Sequence, residues 1–142
     1  MGTLLATTAV IEAAAGLALL FLPSAAVDLL LGTPLAAPAA FIVARVGGAG
    51  LLTLGVACWL ARSDTQSPAA RGLIIAMVIY NVGVALILGT AGVRSLRDDL
   101  VLWPAAVVLH LVMAVWCVVN LRHFGVTKTF VSMHPKQFRY EL

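Results

Sequence analysis

Four apolar runs of about twenty residues, parted by short polar turns, constrain this chain more than any other feature. A run of that length matches the hydrocarbon thickness that one helix crosses. The runs cover about residues 3–22, 37–61, 68–92 and 100–121. Composition agrees: 62% of the 142 residues are hydrophobic, 11% are charged and the mean hydropathy is +1.05. A soluble domain carries roughly a quarter charged residues. This chain lacks the charge to coat a globular surface. The expected fold is therefore all-α: an integral membrane four-helix bundle in one domain, residues 1–122, followed by a basic cytoplasmic tail, 123–142.

The breaks follow from turn chemistry. Pro23 stops the first run, and Ser24 to Leu31 reads as a short interfacial helix ended by Gly32, Thr33 and Pro34. Ser67 before Pro68 forms a good N-cap and first-turn proline for the third span. Asp98 or Asp99 is placed to cap the fourth, where Pro104 falls in an early turn. The first run reads as a retained span. Ser24-Ala25-Ala26 resembles a cleavage site, but no Lys or Arg precedes the apolar stretch and Glu12 interrupts it.

The net charge of +3 is a matter of topology and does not point to nucleic acid, since no basic stripe interleaved with aromatics occurs. Arg62, Arg71, Arg122, Lys128, Lys136 and Arg139 fall on one side of the spans, Arg94 and Arg97 on the other. The positive-inside rule then puts both termini in the cytoplasm. Trp59 and Trp116 lie near the inner interface and Trp103 near the outer one. Close packing is expected at small residues: Ala9, Ala13 and Gly16 in the first span, Ala44, Gly47, Gly48, Ala49 and Gly50 in the second, Gly72, Ala76, Ala85 and Gly89 in the third.

Each span holds one conspicuous polar residue: Glu12, Arg45, Asn81 and His110. At ~1.5 Å rise per residue they sit roughly 11–16 Å below the outer end of their helices, within ~5 Å of one level. An ionised side chain at mid-span costs ~2.5–3.5 kcal/mol on insertion scales. Glu12 shares a face with Thr8, Ala9, Ala15 and Gly16, and Arg45 with Gly48 and Ala49, so the two charges are expected to pair inside the bundle. Two readings stay open. One is a structural ion pair, solvated by Asn81 and His110, that fixes helix register; the other is a polar pocket for a small amphipathic ligand, or a proton-responsive site.

Other chemistry finds little support. A bis-histidine haem needs a second His at the depth of His110, whereas His123 lies at the boundary and His134 in the tail. No metal site is expected, because Cys58 and Cys117 lie near the inner face, far from His110, and read as packing residues. Tyr80, about 100° from Asn81 on the helix, is expected to face lipid or a partner. In the tail, Lys128, Lys136 and Arg139 among Phe124, Phe130, Phe138 and Tyr140 suit anionic lipid headgroups or a partner chain.

Arg45-Val46-Gly47-Gly48-Ala49-Gly50 with Gly55 beyond it, and Glu12 in the first span, resemble the DoxX-like group of small bacterial membrane proteins over about residues 3–121. The resemblance implies four short spans and, for some members, a link to quinone-dependent redox complexes. The tail has no counterpart there.

Three functions are compatible with these features. The first is a non-catalytic subunit that stabilises or assembles a larger inner-membrane complex, of redox or energy-converting type, among lipids and other membrane subunits. The second is a binder of a small amphipathic ligand or a quinone, using Glu12, Arg45, Asn81 and His110. The third is a small transporter built from two diverged halves, though no broken helix or chain of acids marks a path. Independent enzymatic activity is not expected, since no nucleophile constellation accompanies the acid and the base.

Overall fold

The computed structural model describes residues 1–64, 66–94 and 102–133, and side chains over 1–64, 66–92 and 102–123. Among them are five helices and no strand: α1 (Gly2–Phe21), α2 (Pro23–Leu31), α3 (Pro38–Ala61), α4 (Pro68–Arg94) and α5 (Trp103–Met133). Four of the helices are long and apolar enough to cross a membrane, over Gly2–Phe21, Pro38–Ala61, Pro68–Gly92 and Trp103–His123.

Prolines set most of the starts. Pro23, Pro38 and Pro68 each stand in the first turn of a helix, where the missing N–H has no partner to lose. Gly32 ends α2 at φ 72°, a left-handed conformation that glycine adopts without a Cβ penalty, and its N–H donates to the Asp28 carbonyl. The Leu35 N–H then donates back to Ser24 Oγ at 3.2 Å, folding the connection onto α2. Ser67 caps α4 as its place before Pro68 predicts, its Oγ accepting from the Ala70 N–H at 3.1 Å. At the end of α3 the Arg62 guanidinium lies 3.7 Å over the Trp59 ring, a cation–π contact.

The polar segment after residue 121 does not leave the helix: α5 continues without a break to Met133. The reason is the absence of a breaker, since after Pro104 the next proline is Pro135. Asp98, Asp99, Lys136 and Arg139 lie outside the described residues, as does the side chain of Lys128.

The helices pack as two antiparallel pairs, α1 with α3 and α4 with α5. In the first pair the backbones nearly touch. A Cβ on Gly16 would stand 2.6 Å from Leu52 N and 2.7 Å from Gly48 O; one on Gly48, 2.8 Å from Gly16 O; one on Gly55, 2.9 Å from Ala9 O. Gly16, Gly48 and Gly55 thus form the seam, with Ala9 and Ala13 opposite Gly55. Gly47, Gly50, Gly72 and Gly89 were expected to share in such packing, yet nothing stands within 4 Å of a Cβ built on any of them. Gly47 and Gly50 fall on faces of α3 turned away from the seam, and Gly72 and Gly89 belong to α4, outside it. In the second pair the Trp103 ring occupies the space beside Gly92 that a Cβ would take.

The pairs meet through side chains: Leu4, Leu5 and Ala9 of α1, Cys58 of α3, Ile74 and Met77 of α4, Met113 and Cys117 of α5. Because the pairs are antiparallel, all of these belong to one half of the structure, the half holding the start of α1 and the α3–α4 turn. In the other half, α2 closes against α5, the Leu102 N–H donating to the Leu29 carbonyl at 3.0 Å.

Candidate functional site

Directly beyond that core lies a layer of polar side chains. Glu12 is 4% exposed and Asn81 2%. Glu12 is hydrogen-bonded across the two helix pairs: the Tyr80 hydroxyl donates to its Oε2 at 3.1 Å. The Tyr80 ring in turn lies 5.9 Å from that of His110 on α5, tilted by 58°. α1, α4 and α5 each contribute one member of this row.

Arg45 is not a member. It is exposed, and no ion pair with Glu12 forms among the described residues. The expected Glu12–Arg45 pair is thereby corrected, and helical geometry gives the cause. At about 100° per residue, Gly48 faces the α1 seam, Cys58 lies about 80° to one side of it, toward the core, and Arg45 about 60° to the other. The seam is too tight to pass a guanidinium. Sharing a broad face with Gly48 places Arg45 on the far side from Glu12.

Tyr80 corrects a second expectation, since it faces the interior and is half-buried. A signal for this existed: a tyrosine hydroxyl at mid-span needs a partner, and an acid at matching depth supplies one. Asn81 is buried as expected, but its Nδ2 donates to the Met77 carbonyl of its own helix at 2.7 Å, so it solvates no ion pair. His110 is half-buried, with Nδ1 2.7 Å from the Ala106 carbonyl. A carbonyl only accepts, so Nδ1 carries the hydrogen and Nε2 of the neutral ring is an acceptor.

The residue that the pattern of polar positions passes over is Thr8. It lies one turn before Glu12 on the same side of α1 and is 1% exposed. Its hydroxyl has no hydrogen-bond partner. Threonine in a helix ordinarily bonds the carbonyl four residues back, as Thr53 does to Ala49 at 2.8 Å and Thr90 to Leu86 at 2.9 Å. Thr8 does not.

Cys58 and Cys117 are fully buried in the core, where free thiols pack as small hydrophobes. No group of three or more His, Cys, Asp or Glu able to hold a metal occurs among the described residues. The architecture and the site together define a class: an all-helical protein with four helices of membrane-spanning length and a polar layer between them. Comparison with protein-family models, with characterised proteins and with solved structures finds no match that would narrow this class further.

Proposed function

We propose that the chain is a non-catalytic integral subunit of a larger inner-membrane complex: a four-helix bundle with both termini in the cytoplasm, docked on its partner through the outer face of α3. The observation that carries the reading is Arg45. It stands seven residues into α3, about 10 Å from the start of the helix, and is exposed. A cation facing lipid costs ~2.5–3.5 kcal/mol at the centre of a span and less toward its ends. Ala49, about 40° from Arg45 round the helix, is exposed on the same face. Lipid gives small residues no advantage, whereas a neighbouring helix approaches closely over them.

The occupant that fits is a transmembrane helix of another polypeptide, bearing a carboxylate level with Arg45. A second copy of this chain is a poorer match. Its own intramembrane acid, Glu12, faces inward, and the acids exposed among the described residues, Asp28 and Asp64, lie outside the four long helices. The resemblance to DoxX-like proteins favours a redox or energy-converting complex, with a quinone as the associated cofactor.

The test is native mass spectrometry of the chain tagged at its native level and extracted in mild detergent. The reading expects other polypeptides at fixed stoichiometry, released by Arg45→Leu while the chain stays folded. Isolation of the chain alone, or as a homodimer, overturns it, as does a partner that Arg45→Leu leaves in place.

A further inference from the structure

We propose that Thr8, Glu12 and Tyr80 form a binding site for a small organic ammonium ion, set between the two helix pairs. The inference goes beyond the docking reading and is independent of it, because Arg45 lies on the other side of the α1–α3 seam.

The unused hydrogen-bonding capacity of the site determines the class of ligand. Among the described residues, Glu12 accepts only from Tyr80, which leaves its other carboxyl oxygen open to a donor. The Tyr80 oxygen has given its hydrogen to Glu12 and retains a lone pair. His110 has committed its N–H to Ala106, so Nε2 of the neutral ring accepts. Asn81 has given an amide hydrogen to Met77. Asn81 keeps its second amide hydrogen, and the Thr8 hydroxyl, which has no partner, can both donate and accept. The set is thus rich in acceptors and holds a carboxyl group with no cationic partner, since Arg45 faces outward. Such a set calls for a positively charged group with several N–H donors. An alkylammonium supplies that, and the tilted Tyr80 and His110 rings suit a cation beside them.

The apolar part of such a ligand would extend to the side away from the core, where several side chains of α1 and α5 are less buried. Met113 and Cys117 are buried, but His110 and Ala106, on the same face of α5 about one and two turns nearer its start than Met113, are only half-buried. On α1, Leu4, Leu5, Thr8 and Glu12 are buried; Ala15, on the Thr8 side and two turns further on, is exposed. The contact between the pairs is therefore sealed on one half and looser on the other. Glu12 and Tyr80 lie at the boundary.

The buried hydroxyl of Thr8 makes the inference specific. An unpaired polar atom in an apolar interior is unfavourable unless something bonds it in the working state. Glu12 alone would be answered by a proton, but a proton on Glu12 leaves Thr8 without explanation.

The experiment is calorimetric titration of the full chain in detergent with benzylammonium chloride. Benzyl alcohol serves as the neutral isostere and sodium chloride as the cation without N–H groups. Wild type is expected to bind one benzylammonium saturably and benzyl alcohol only by partitioning. Glu12→Gln should weaken binding roughly tenfold or more, the scale of one charge-assisted hydrogen bond. Thr8→Val should weaken it several-fold and raise the Tm of the ligand-free protein, a pairing that a merely structural threonine would not produce. If Glu12→Gln does not fold, Thr8→Val and Tyr80→Phe carry the comparison. Unsaturable uptake equal in wild type and the variants overturns the proposal, and so does saturation by sodium alone.

Discussion

The hydroxyl of Tyr80 donates to Glu12 Oε2 at 3.1 Å across 68 positions of sequence, and this bond joins the α1–α3 pair to the α4–α5 pair. The backbones of the two pairs stay apart, so side chains hold them together: sulfur and aliphatic groups on one half and this bond at its boundary. A hydrogen bond between helices in an apolar medium fixes rotation as well as distance. Tyr80 and Glu12 therefore set the rotational register of α4 against α1.

Tyr80→Phe keeps the ring beside His110 and deletes only the donor. The expected cost is about 0.6 kcal/mol and no more than about 1.7, the average and the maximum measured for interhelical hydrogen bonds within a membrane. Unfolding in mixed detergent, followed by circular dichroism, checks it. A stability equal to wild type would show that the bond does not join the pairs.

The seam predicts a sharp contrast among glycines. Gly48→Ala puts a Cβ 2.8 Å from the Gly16 carbonyl oxygen and 2.9 Å from Leu20 N, both backbone atoms that cannot swing aside. It should cost about 1–3 kcal/mol as overpacking. Gly50→Ala, with nothing within 4 Å of its Cβ, should be neutral or stabilise by up to about 1 kcal/mol, the helix-propensity gain of alanine over glycine. Thermal unfolding of the two variants side by side decides it.

Arg45→Leu separates the sequence expectation from the fold. Breaking a buried ion pair by removing one partner costs about 3–5 kcal/mol. Arg45 is exposed and unpaired with Glu12, so the isolated chain should change by no more than about 0.5 kcal/mol. A loss on the larger scale would restore the Glu12–Arg45 pair.

Cys58 and Cys117, at 0% and 1% exposure, should resist alkylation in the folded chain and react once it is denatured. Intact mass after N-ethylmaleimide treatment, with and without denaturant, reads this directly. Modification of either thiol in the folded state would mean that the half of the interior described as sealed opens.

The sequence by itself determined the elements of this protein. Apolar runs of spanning length dictate helices, because a backbone in an apolar medium satisfies its polar groups within its own helix. Pro23, Pro38 and Pro68 mark starts, and Gly32 marks a stop, through local sterics that need no neighbour. The depths of Glu12, Asn81 and His110 were equally legible, since rise per residue is fixed. Rotation was not. The angle at which one helix faces another depends on which residues let backbones approach, and that was decided by a seam of Gly16, Gly48 and Gly55 spread over two helices. A modest rotation either way is invisible in a chain whose small and apolar residues occupy every face. The tertiary structure alone therefore turned Arg45 outward, brought Tyr80 to Glu12 and left the Thr8 hydroxyl buried without a partner.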